Sequence, residues 1–191
     1  MTQGYALVTG ASAGLGAEFA RQLAAKGLNL LLVARRGERL QTLAASLHQE
    51  FGVTVKTLVA DLAQPSAPLL IEQFCHDNTL QIDWLINNAG IAGPDLLTDR
   101  DWQAQHDFFQ LMMLSVVELC HRFVPAMVAR GFGRVVNVAS VAGRIPRSGG
   151  CNYGPSKTYL IAVSEELNLT VGGQGVHVTA LCPGFTHTDF H

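Results

Sequence analysis

Charged side chains are scarce in this chain. Asp, Glu, Lys and Arg make up 15% of its 191 residues, and the net charge is −2. No basic cluster stands out, which argues against nucleic acid or an anionic membrane surface as a partner. The opening residues MTQGYALVTG lack the basic-then-apolar order of a secretory signal, and no run reads as a membrane span, so a cytoplasmic location is expected. The four cysteines (Cys75, Cys120, Cys151 and Cys182) contain no C-x-x-C pair. That removes the usual thiol metal and redox motifs and leaves reduced, mostly buried thiols as the expectation.

What is present is apolar and ordered. Hydrophobic residues make up 48% of the chain, enough for one sizeable core, and a single domain over residues 1–191 is expected. Short apolar runs recur at Tyr5–Thr9, Asn29–Ala34, Val53–Val59, Trp84–Asn87, Arg134–Val138 and His177–Leu181. They show no clean alternation, as suits parallel strands covered on both faces. Between them, Leu15–Lys26, Glu38–Glu50, Leu69–Asp77, Trp102–Arg130 and Ser156–Thr170 have helical character. Strand-then-helix order predicts an α/β fold, a doubly wound parallel sheet of six strands with helices on both faces.

The first strand runs into Thr9-Gly10-Ala11-Ser12-Ala13-Gly14-Leu15-Gly16 and then a helix. Glycines at such a junction let backbone amides approach a phosphate, and the helix N-terminus adds partial positive charge. The spacing is G-x-x-x-G-x-G, not the G-x-G-x-x-G dinucleotide fingerprint. The second strand ends without the acidic residue that would hold a ribose 2′-hydroxyl; Arg35 and Arg36 stand there instead. An arginine at that point accommodates a 2′-phosphate and favours NADP (NADPH) over NAD, with Arg35 the preferred ligand.

Asp61-Leu62 follows the third run and Asn87-Asn88-Ala89-Gly90 the fourth, at strand ends where ligands bind in open sheets. Ser140 follows the fifth run, thirteen residues before Tyr153. In YGPSK, Tyr153 and Lys157 fall one helical turn apart, so an ammonium beside the phenol is expected to favour the phenolate. His187 and His191, with Asp189 between them, have the spacing of half a metal site but read as solvated, and no metal is expected. Trp84, Trp102, Phe108 and Phe109 read as packing residues.

Together TGxxxGxG, NNAG, Ser140, Tyr153-x-x-x-Lys157 and Pro183-Gly184 resemble the short-chain dehydrogenase/reductase superfamily along essentially the whole chain. The resemblance implies Tyr153 as acid/base, with Lys157 lowering its pKa and holding the nicotinamide ribose, and Ser140 bonded to the substrate oxygen. It implies dinucleotide contacts from Thr9, Gly10, Ser12, Ala13, Gly14, Leu15, Gly16, Arg35, Arg36, Asp61, Leu62, Asn88, Ala89 and Gly90. Pro183, Gly184 and Thr188 would border the nicotinamide. The implied substrate is a small carbonyl or alcohol and the implied assembly a homodimer or homotetramer, with Leu111, Leu114, Val117 and Leu119 on a helix that pairs with its copy.

The chain departs from the family pattern twice. Met112 falls where relatives carry an asparagine that helps hold a water reaching the lysine, and a thioether offers no donor. The sequence ends at PGFTHTDFH, whereas relatives continue into a substrate-covering segment and a final strand, so those parts are expected to be absent. A dinucleotide-binding protein with weak or no catalysis is the alternative that these departures leave open.

Overall fold

Leucine and valine runs build one parallel sheet, seen in a computed structural model that describes residues 4–146, 148–149 and 151–184. Its strands are β1 (Tyr5–Thr9), β2 (Asn29–Ala34), β3 (Val55–Val59), β4 (Ile82–Asn87), β5 (Gly133–Val138) and β6 (Val176–Leu181). Their spatial order is β3-β2-β1-β4-β5-β6, and every neighbouring pair is parallel. Strand order therefore reverses between β1 and β4, the crevice where open α/β sheets take ligands.

Both faces of the sheet are covered, which is why the runs lack alternation. Ala6, Val8, Leu30 and Leu32 pack with Ala20, Leu23, Leu40 and Leu47 of α1 (Gly14–Ala25) and α2 (Gly37–Phe51). Leu7, Leu31 and Val33 face the opposite cluster, with Ile71 of α3 (Ala67–Asp77) and Leu119 and Met127 of α5 (Ser115–Arg130). There α6 (Tyr153–Val171) packs Leu160 and Ile161 beside Val116.

Most element ends fall within two residues of expectation, and three differences have local reasons. The third strand begins at Val55 because the Thr54 amide is taken by the Asn29 side chain at 2.9 Å. α6 begins at Tyr153, three residues early, since Pro155 sits in the first turn, where a missing N–H is no loss. The expected helix Trp102–Arg130 has three parts: α4 (Trp102–Phe109), a π turn over Gln110–Leu114, and α5.

By length and composition Trp102–Arg130 is apolar enough to cross a bilayer, contrary to the sequence expectation, yet half of its most apolar window is buried. Phe108, Leu119 and Met127 are wholly inside. Leu111 and Leu119 belong to the core and not to an outward helix face, whereas Leu114 is 52% exposed. Trp102 is 69% exposed, so of core and interface packing only the interface reading stays open to it. Among the thiols only Cys75 and Cys120 are buried; Cys151 is exposed and Cys182 is intermediate.

Candidate active site

The glycine-rich turn is shaped by close approach. Gly10 and Gly14 have φ of +64° and +54°, which non-glycine residues rarely adopt. Gly16 is needed for space: a Cβ there would stand 2.3 Å from the Gly10 carbonyl oxygen and 2.5 Å from Asn88 Nδ2.

Thr9 and Asn88 hold this turn against the loop after β4. Thr9 Oγ1 accepts the amides of Asn88 (3.0 Å) and Ala89 (3.1 Å). Asn88 Nδ2 donates to the carbonyls of Thr9 (3.0 Å) and Gly10 (3.2 Å). The side chains of these two expected cofactor contacts thus build the cradle's walls. The N-cap of α1, Ala13, offers no side-chain cap and the first turn has no acidic residue, so its first-turn amides face the glycine turn without a capping side chain.

The arginines at the end of β2 divide. Arg36 Nε donates to Ser12 Oγ at 3.1 Å, reaching the glycine turn, while Arg35 lies 4.0 Å from Asp61. That exposed pair contributes little stability. Asp61 accepts the Ala63 amide at 3.0 Å, and Leu62 is buried in the core.

On the other side of the switch point, Ser140, Tyr153 and Lys157 come together. Tyr153 and Lys157 share the first turn of α6, with Lys157 Nζ 5.5 Å from the phenol ring centroid. Nζ donates to the Val138 carbonyl at 2.7 Å, and the residue is only 4% exposed. Burial lowers the Lys157 pKa from 10.5 to about 8. Burial also pushes the Tyr153 phenol above its ordinary 10.0, opposed by a hydrogen bond with Ser140. The expected lowering of the phenol by Lys157 is therefore corrected: desolvation of the ring end wins, with the Ser140 hydroxyl as the downward influence.

Several contacts were not visible from sequence. Asn87 Nδ2 donates to Asn137 Oδ1 (2.8 Å), and Asn137 Nδ2 to Ser164 Oγ (2.9 Å), a buried chain beneath Val138. Asparagines next to the strand ends were the available signal. Gly143 lets a short 3-10 turn, Val141–Gly143, lie on α6; a Cβ there would be 2.7 Å from the Lys157 carbonyl carbon. Pro183 accepts the Val141 amide at 3.1 Å, and Gly184 follows at the end of the described chain. Thr188, and with it His187, Asp189 and His191, lies outside the described residues. Among the described residues, no group of three or more His, Cys, Asp or Glu is placed to hold a metal ion.

The family model for short chain dehydrogenases matches residues 4–191. The chain belongs to the short-chain dehydrogenase family. It is an oxidoreductase of the dehydrogenase/reductase type. This short-chain dehydrogenase is 34% identical over 186 residues to sulfoacetaldehyde reductase 2 of Chromohalobacter salexigens, covering 96% of this chain and 73% of that protein. A short-chain dehydrogenase from Sphingobium yanoikuyae in complex with NADPH superposes with a TM-score of 0.92 at 35% identity, over 98% of this chain and 73% of that one. L-sorbose reductase from Gluconobacter frateurii, complexed with NADPH and L-sorbose, gives 0.90 at 29% identity, over 99% and 72%.

Proposed function

We propose that this short-chain dehydrogenase transfers hydride between NADP(H) and the carbonyl or alcohol carbon of a small molecule. The observation that carries this reading is the junction of Ser140, Tyr153 and a buried Lys157 across the switch point from the glycine turn. The residues present fit a dinucleotide, because the first-turn amides of α1 at the end of β1 have no capping side chain, and Gly10 and Gly16 let that turn pack against Asn88 and Ala89, where a Cβ would clash. The amides of Gly10 and Ser12 to Gly16 would hold the diphosphate, and Arg36 with Arg35 the 2′-phosphate. Asp61 and Leu62 would flank the adenine side, Ala89 and Gly90 the floor, and Pro183, Gly184 and Thr188 the nicotinamide. When bound, the cofactor supplies or accepts the hydride.

The protein's own part is alignment and proton transfer. Tyr153, with its pKa raised, stays protonated at neutral pH and donates to the carbonyl oxygen as charge develops there. The Ser140 hydroxyl, which also accepts the Ala142 amide at 3.1 Å, shares that oxygen. Lys157 places a positive charge behind the phenol, fixed by the Val138 carbonyl. The neighbours named as NADPH complexes support the cofactor class, and the sulfoacetaldehyde and L-sorbose reductases support a carbonyl substrate. Homo-oligomeric assembly belongs to the same reading, supported by the exposed apolar side chains of Leu114, Tyr159 and Leu169.

The test compares the unmodified chain with Tyr153→Phe. NADPH binding, read by fluorescence titration, should be nearly the same in both. NADPH oxidation with a panel of aldehydes and ketones should fall by about 10²–10⁴-fold in the variant, the usual worth of a general acid. Retained turnover in Tyr153→Phe would assign the proton to another group.

A further inference from the structure

The loop after β4 is held at two places by side chains from other elements. At its start Thr9 Oγ1 accepts the amides of Asn88 and Ala89. Two residues later, Ile91 donates its amide to the sulfur of Met112 at 3.4 Å. Met112 is 1% exposed and sits at the centre of the π turn Gln110–Leu114. From the first residue of α5, the Ser115 hydroxyl donates back into that wide turn, to the Leu111 carbonyl at 2.8 Å. Single π turns inside α-helices recur at functional sites, where the extra residue re-aims a side chain.

Gly90 lies between the two pins. Its φ is not positive, so glycine is not required by backbone conformation. Space is the reason: a Cβ would lie 3.2 Å from Met112 Sδ and 3.5 Å from its Cε. Glycine and thioether therefore fit one another, and the loop rests directly on the sulfur.

We infer that Met112 is a positioning residue, whose thioether pins the Ile91 amide and sets the position of Gly90 in the loop that would line the dinucleotide site. The inference rests on the reading of this site as a dinucleotide oxidoreductase. A thioether is a weak acceptor, so the bond contributes little to global stability. Its effect is on geometry, to which hydride transfer is sensitive: displacement of reacting groups by about 1 Å can cost about a hundredfold in rate.

The test reads the pin directly. Amide hydrogen exchange at Ile91, measured on the full chain without cofactor, should be slowed in the unmodified protein. It should speed up by about fivefold in Met112→Leu, the range that loss of one modest hydrogen bond allows. Leucine keeps the volume, so the fold should persist. NADPH dissociation constants should rise several-fold in that variant. Met112→Gln, of similar reach and with an oxygen acceptor, should restore Ile91 protection.

A second measurement stands apart from the Met112→Leu fold. Gly90→Ala should weaken NADPH binding next to Met112 and do so less in a Met112→Ala background, where the added methyl has room. Equal Ile91 exchange in the unmodified protein and Met112→Leu, or additive effects of the alanine changes, would overturn the inference. Failure of the unmodified chain to bind NADPH would instead remove the functional reading, while Ile91 exchange would still decide whether Met112 is a pin.

Discussion

The two halves of the sheet are stabilised in opposite styles. On the β1–β3 side, the site is made of backbone at close approach: glycines at 10 and 16, where a Cβ would clash, and at 14, with positive φ, with Thr9 and Asn88 as ties. On the β4–β6 side it is made of buried polar side chains, namely Lys157, Asn137, Asn87 and Ser164. A binding cradle needs room and amide donors, whereas proton transfer needs a charge held out of water. The first half should therefore fail by steric crowding, and the second should carry a stability cost for its function.

The largest effect is expected at Gly16. Gly16→Ala puts a methyl 2.3 Å from the Gly10 oxygen, and backbone cannot yield as a side-chain tip can. Overpacking of this kind costs roughly 3 kcal/mol or more here, with loss of NADPH binding. Thermal melting and cofactor titration check it; an alanine tolerated without loss would show that the cradle is softer than the clash implies.

Lys157→Met is the opposite experiment. The buried ammonium has a pKa of about 8 against an ordinary 10.5. Removing it should raise stability at pH 7 by roughly 3 kcal/mol, from the difference between 10.5 and about 8 at about 1.36 kcal/mol per pKa unit, while eliminating turnover. Between pH 8 and 10.5 the unfolded chain holds a proton that the folded chain has released, so stability of the unmodified protein should rise through that window. The variant should lack this rise. Denaturant melts at pH 7 and pH 9.5 measure it, and a Lys157→Met chain that is less stable at pH 7 would mean the Val138 contact outweighs the desolvation.

The smallest effect separates the two arginines. Arg36→Ala should weaken NADPH by roughly 1.5 kcal/mol, the lower range for a hydrogen bond to a charged group, and leave NADH nearly unchanged. Arg35→Ala should do less, because Arg35 leans towards Asp61 and Arg36 towards Ser12. Equal affinity of the unmodified protein for NADPH and NADH would sink the 2′-phosphate assignment.

The strand count and the strand-end positions of Asp61, Asn88 and Ser140 were legible in the sequence, because apolar runs bounded by glycine and polar turn residues have direct physical causes. The direction of the Tyr153 shift was not. Sequence spacing places the ammonium one turn from the phenol, but the burial of the phenol depends on distant segments. The π turn was equally hidden, since Gln110–Leu114 continues the helical pattern on either side. The bond of Arg36 to Ser12 was hidden for a similar reason: it joins residues 24 apart.

One consequence of the strand order concerns the growing chain. β1 is paired on one side with β2, whose Asn29 stands beside Tyr5, and on the other with β4. The ties between Thr9 and Asn88 span 79 positions. During synthesis the β1–β3 segment can therefore emerge and pair while the inner edge of β1 still lacks its neighbour. That edge is a row of open amides and carbonyls flanked by apolar side chains, the kind of surface that captures foreign strands. Until β4 has left the ribosome, the nascent chain has half a sheet and no finished cradle, so delays in translation after β3 has emerged and before β4 has should be the ones that send it to aggregates or to chaperones.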